Sequence, residues 1–197
     1  MGVDLLPPFI RQTYEVHEWK HACAILKHDF PNEWSDLCEL LMQFRFKQSW
    51  ISIGGGRKSK VSEAIDSFLY AKGWIEKQFD TQIMVDGLAN QSPTHKIDCF
   101  KNRVAVEIEW NNKDPFFDRD LNNFRLLFDL RAVSVGVIIT RSDALQTIFD
   151  QLGRGSSYGA STTHIGKLLP RINGGSGGGC PILALGISEQ LYERDIT

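Results

Sequence analysis

Three carboxylates, Asp98, Glu107 and Glu109, have the type and spacing to do chemistry. They lie in the stretch HKIDCFKNRVAVEIEWN, residues 95–111. Val104, Val106, Ile108 and Trp110 are apolar at every second position, the period of a β-strand. Arg103, Ala105, Glu107, Glu109 and Asn111 then share the opposite face. Stability alone gives no reason to place two carboxylates side by side on a buried strand, because they repel and are costly to desolvate. His95 to Phe100 reads as a partner strand, with Lys101-Asn102 as a two-residue turn. That register sets Asp98 across from Ala105 and diagonal to Glu107. Diagonal partners stand about 7–8 Å apart, so both side chains could reach one cation at Mg–O distances of about 2.1 Å. A few hard oxygens of this kind suit Mg²⁺, which keeps several waters, better than zinc, and Mn²⁺ could substitute.

The elements that must position these acids follow from periodicity. Residues 12–28 and 31–47 read as an N-terminal pair of amphipathic helices, with Pro31 near the start of the second. A glycine-rich basic loop, SWISIGGGRKSK, precedes a helix over 61–72 that Gly73 closes. A strand is expected from Trp74 to about Val85, and DGLANQSP as a turn into the acidic hairpin. DPFFDRDLNNFRLLFDL has helical spacing, and AVSVGVIITRS reads as a central strand covered on both faces. SDALQTIFDQL is a helix with an N-cap signal, followed by a polar loop, a short helix (IGKLLPRI), the native loop NGGSGGG and a last strand in CPILALGIS. The expected fold class is α/β, a central mixed sheet flanked by helices, in one domain over 1–197 with a core at about 60–190. The apolar stripes at 114–130 and 143–153 are candidates for packing between two copies.

At 197 residues with net charge −2, nothing in the composition marks a general nucleic-acid binder. No apolar run is long enough to span a bilayer, and the start MGVDLLPPFIRQ lacks the pattern of a signal peptide. Cys23, Cys38, Cys99 and Cys180 are scattered without a CxxC pair. The expectation is a cytoplasmic protein with reduced, buried thiols and no membrane partner.

Further candidates lie around the acids. Arg57, Lys58 and Lys60 in GGGRKSK could contact phosphates, although the loop lacks Walker A spacing. Arg141, Arg154, Ser156 and Ser157 sit in loops at strand and helix ends. His17-Glu18-Trp19-Lys20-His21 is a literal HExxH. Lys20 inside it and only 16 residues before it argue for a surface helix turn rather than a zinc site.

A strand-borne Asp, a turn, and a strand carrying Glu-x-Glu resembles the metal site of the PD-(D/E)xK nucleases. VAVEIEWNNKDPF resembles the catalytic strand of the BamHI/BglII/BstYI group of type II restriction endonucleases, which places Glu or Gln where other members have Lys. SEAIDSFLYAKGWIE and AVSVGVIITRS extend the similarity over roughly residues 60 to 142. Pro93 departs from the family name, standing five residues before Asp98 instead of next to it.

The resemblance implies a restriction-endonuclease-like core with Asp98 and Glu107 as Mg²⁺ ligands. It gives Glu109 the lysine position, as base or orienter of the attacking water, and makes Glu76 a candidate additional acid. It makes Asn111, Asn112 and Lys113 candidates for DNA contact, Asn being suited to adenine. It also implies double-stranded DNA as substrate, a palindromic site with a GATC-like centre, a homodimer, 5′-phosphate ends and a cognate DNA methyltransferase. The alternatives are another nuclease with the same metal hairpin (a repair or structure-selective enzyme), a non-catalytic DNA-binding or interaction module, or a zinc protease.

Overall fold

The strand bearing Glu107 and Glu109 lies inside a six-stranded mixed sheet, in a computed structural model that describes residues 2–52 and 58–195. A short 3-10 turn (Gly2–Leu5) precedes α1 (Pro8–Thr13) and then β1 (Tyr14–Trp19), where a helix over 12–28 is expected from the sequence. The difference has a local cause. Lys20 and His21 both adopt left-handed backbone angles (φ 54° and 60°), which turn the chain sharply between β1 and α2 (Ala22–Asp29). Six backbone pairings with the last sheet strand then outweigh the helical pattern of Trp19, Cys23 and Leu26. The HExxH is therefore split between strand and turn. His17 pairs with Glu15, and the two histidines share no helix face, so the zinc-protease reading falls.

α3 (Pro31–Gln43) begins at its proline as expected and ends before β2 (Phe46–Lys47) and α4 (Gln48–Ser52). Ser59 caps α5 (Lys60–Ala71), its Oγ accepting from the Ser62 amide at 2.9 Å, and Gly73 (φ 85°) turns the chain out of it. The expected strand 74–85 divides in two. β3 (Ile75–Lys77) joins the main sheet, while β4 (Gln82–Val85) and β5 (Leu88–Gln91) form a separate hairpin around Asp86-Gly87. Asp-Gly is the turn pair that favours left-handed backbone at both centres.

β6 (Ile97–Lys101) and β7 (Val104–Glu109) form the acidic hairpin. Its turn is Asn102-Arg103 (φ 43° and 68°), one residue later than expected, which shifts the register to Cys99↔Val106. β7 runs parallel to β8 (Val135–Arg141), and β8 parallel to β9 (Ile182–Ile187). The crossovers are α6 (Phe116–Asp129), then α7 (Leu145–Gln151) with α8 (Ile165–Asn173). The order across the sheet is β1-β9-β8-β7-β6-β3. β10 (Tyr192–Glu193) pairs with β2 outside it.

Each face of the sheet has its own core. Val104, Val106, Ile108 and Trp110 pack with α1, α2, α3, α5 and α7. Ala105, Ile97 and Ile138 pack with Phe117, Leu121, Phe124 and Leu127 of α6 and with α8. Burying an aromatic or aliphatic side chain contributes about 1.5–3 kcal/mol, so the α6 stripe alone fastens that helix to the sheet. The stripes of α6 and α7, expected to meet a second copy, are thus buried in the chain's own core; Phe116 and Leu130 remain exposed at the ends of α6. Gly136 lets α6 settle this close: a Cβ there would stand 2.3 Å from Phe124. Among the described residues, no helix is long and apolar enough to cross a membrane.

Candidate active site

Period-two alternation on β7 puts Glu107 and Glu109 on the α6 side of the sheet, both buried. The observed ladder ends at Cys99↔Val106, and one step further it brings Asp98 level with Glu107 instead of with Ala105 as expected from the sequence. The two residues are cross-tied. The Asp98 amide donates to Glu107 Oε2 at 3.2 Å, and the Ile108 amide donates to Asp98 Oδ2 at 2.9 Å. One oxygen of each carboxylate is anchored in this way, while Glu107 Oε1 is buried with no hydrogen-bond donor among the described residues.

Glu109 is held differently. Asn112 Nδ2 donates to its Oε2 at 2.7 Å, and Arg119 Nη2 donates to its Oε1 at 3.1 Å. Its carbonyl accepts from Thr140 Oγ1 at 2.7 Å and Thr163 Oγ1 at 3.1 Å, fixing the end of the strand. Asp120 of α6 stands beside it, completely buried, with Arg119 Nε on its Oδ1 at 2.8 Å.

So many acids in a dry place hold on to protons. Burial pushes Asp98 up to about 6, opposed by the Ile108 amide and reinforced by Asp66 and Asp120. Burial and the charges of Asp120 and Asp98 push Glu107 well above the usual carboxylate range. Burial and Asp120 push Glu109 up to about 9, against the Asn112 and Arg119 donors. Burial raises Asp120 as well, opposed by the Arg119 guanidinium, and its Oδ2 is buried without a hydrogen-bond partner among the described residues.

The donors present fit a hard divalent cation. Glu107 Oε1 is an acceptor lacking a donor, it faces a second carboxylate across the hairpin, and an added positive charge would relieve the crowding that raises these groups. Among the described residues no three His, Cys, Asp or Glu side chains already converge as a cage. Mg²⁺ does not need one, since it binds through one or two carboxylates plus water and substrate phosphate.

The other expected residues scatter. Glu76, on β3 at the sheet edge, is exposed and paired with Lys96 at 2.7 Å. Asn112 follows β7 as expected, but its amide is engaged by Glu109. Asn111 beside it is in a left-handed conformation (φ 61°), its Oδ1 buried without a partner among the described residues. Lys113 is exposed and bridges to Thr162. Arg141 is fully buried, its Nη2 donating to the Tyr158 carbonyl at 2.8 Å and to Thr162 Oγ1 at 3.1 Å. It pins the 158–162 loop and presents nothing to solvent. Arg154, Ser156 and Ser157 lie at the rim of that loop. Lys58 pairs with buried Asp66 of α5, and Lys60 with Glu63; Arg57 lies outside the described residues.

Sequence reasoning missed Arg119, Asp120 and Asp66. A signal for Asp120 existed: it occupies a helical core position within Phe117, Asp120, Leu121 and Phe124, where a charge needs a partner. Asp66 is likewise buried on α5, with Cys99 Sγ donating to it at 3.4 Å.

A mixed α/β sheet flanked by helices, with an acidic hairpin facing α6, is a restriction-endonuclease-like core. The chain matches the family described as Restriction endonuclease BglII/BglIII over residues 14–187, and it belongs to that family. It is therefore a nuclease-family hydrolase whose partner is DNA. A search of the curated proteins returns no match.

Proposed function

We propose that this chain is a type II restriction endonuclease that cleaves double-stranded DNA at a short palindromic site, with Mg²⁺ as cofactor and Mn²⁺ as substitute. The observation that carries the reading is the facing pair Asp98 and Glu107, with Glu107 Oε1 buried and unsatisfied beside it. Asp98 and Glu107 would hold the cation; Glu76 would need to leave Lys96 to join them. Bound there, Mg²⁺ would supply a lowered water pKa and neutralise charge gathering on the phosphate.

The residues of the chain do the rest. Glu109, once ionised, accepts a proton from the attacking water, and its place is set by Asn112 and Arg119 on either side. Lys58, Lys60 and Lys113, together with Arg57, contact the DNA backbone, which positions the duplex without specifying sequence. Asn111, Asn112, Arg154, Ser156 and Ser157 border the groove where bases are read. Cleavage leaves 5′-phosphate ends. A palindromic target is matched by a two-fold homodimer. A DNA methyltransferase of the same specificity protects the host.

The experiment is digestion of unmethylated phage DNA with Mg²⁺ by the wild type, Asp98→Ala and Glu107→Ala. Discrete bands are expected from the wild type alone, with DNA binding kept in both variants. A smear would favour a non-specific or structure-selective nuclease, and normal cutting by either variant would sink the metal-site assignment.

A further inference from the structure

The catalytic strand carries no cation of its own: Glu107 and Glu109 are followed by Trp110 and two asparagines. Hydrolysis nonetheless builds negative charge. The water oxygen adds its electron pair to phosphorus and loses a proton to Glu109. The bond to the 3′ oxygen breaks with its electrons on that oxygen, which then takes a proton from solvent. In between, the non-bridging phosphate oxygens carry more charge than in the ground state, and a positioned cation there is worth more in the transition state than before it.

α6 brings such a cation to the site. Arg119 Nη2 reaches Glu109 Oε1 at 3.1 Å, and its Nε reaches Asp120 Oδ1 at 2.8 Å. The guanidinium carbon stands 4.3 Å from the centre of the Phe116 ring. Asp120 is 0% exposed and is fixed by the same stripe that docks α6 on the sheet. The planar fork is therefore held on two carboxylates and one ring before any substrate arrives. Its Nη1 has no hydrogen-bond acceptor among the described residues, and the side chain is 32% exposed.

We propose that Arg119 is a catalytic residue of this enzyme: anchored by Asp120, it places a permanent positive charge beside Glu109 and offers Nη1 to a non-bridging oxygen of the scissile phosphate. In effect α6 supplies in space the cation that the strand lacks in sequence. The inference rests on the nuclease reading above and goes beyond it. A purely structural Arg119 would serve only to neutralise Asp120, and the two roles separate experimentally.

Arg119→Ala is expected to lower the Mg²⁺-dependent kcat on phage DNA about 10²–10³-fold. Its affinity for a DNA fragment containing a mapped cut site, measured with Ca²⁺ in place of Mg²⁺, should stay within a few fold. Millimolar guanidinium chloride should restore part of the Arg119→Ala rate and leave the wild type unchanged. Arg119→Ala strands a buried carboxylate, so the double variant Arg119→Met with Asp120→Asn, neutral and similar in volume, is measured beside it. It is expected to be folded and equally slow. Wild-type cleavage rates in the double variant would overturn the proposal and leave the nuclease reading standing. Absence of cleavage by the wild type itself with either Mg²⁺ or Mn²⁺ would take down both.

Discussion

Asp98 and Glu107 face each other across the β6–β7 hairpin, each with one carboxylate oxygen tied to a backbone amide of the opposite strand. This arrangement fixes both groups without satisfying either completely. Both also keep their protons more tightly than a free carboxylate, and burial is the main reason.

A site built of crowded acids should destabilise the free protein, so neutral variants ought to be more stable while losing activity. Glu107→Gln is expected to raise the midpoint of thermal unfolding at pH 8 by a few degrees, because an amide escapes the burial and like-charge cost that acts on the carboxylate. Cleavage should fall at least about 10³-fold. A lower unfolding midpoint would mean that the Glu107 charge is already compensated in the fold.

The pH dependence of stability has a definite sign. Asp98 and Glu109 bind protons more tightly folded than unfolded, so their contribution is intact below about pH 4 and fades as pH rises. Asp98 loses its share by about pH 6 and Glu109 by about pH 9. Unfolding midpoints measured from pH 5 to 9 should decline, and Glu109→Gln should flatten the upper half of that decline. An unchanged slope in this variant would remove Glu109 as the titrating group.

Cation binding should compete with those protons. Mg²⁺ is expected to raise the unfolding midpoint, more at pH 8.5 than at pH 6.5, and calorimetry in two buffers of different ionisation enthalpy should detect released protons. Asp98→Asn should weaken the effect strongly. Equal Mg²⁺ stabilisation at both pH values, or in Asp98→Asn, would place the cation elsewhere.

Arg141, a candidate from its place at a strand end, is buried beneath the loop that Thr163 ties to the end of β7. Arg141→Met should therefore act on stability, at about 2–4 kcal/mol for lost charge-assisted hydrogen bonds, and should expose 158–163 to limited proteolysis. A variant that keeps wild-type stability but binds DNA poorly would restore the contact role.

Alternation along residues 104–110 is enough to determine that two glutamates share a face, because side-chain direction in a strand depends only on parity. The amphipathic stripe of α6 and the apolar run of β8 are legible for similar reasons: local periodicity reports which face is dry. The tertiary structure decided what depends on partners distant in the chain. Residues 14–19 become an edge strand because β9 offers a backbone ladder, which a local pattern cannot display. The one-residue register of the hairpin depended on which pair took left-handed angles, and that choice set Asp98 opposite Glu107. Arg119 and Asp120 join the site only because α6 folds back over the sheet, which brings Arg119 within hydrogen-bond range of Glu109 and of the buried Asp120 beside it.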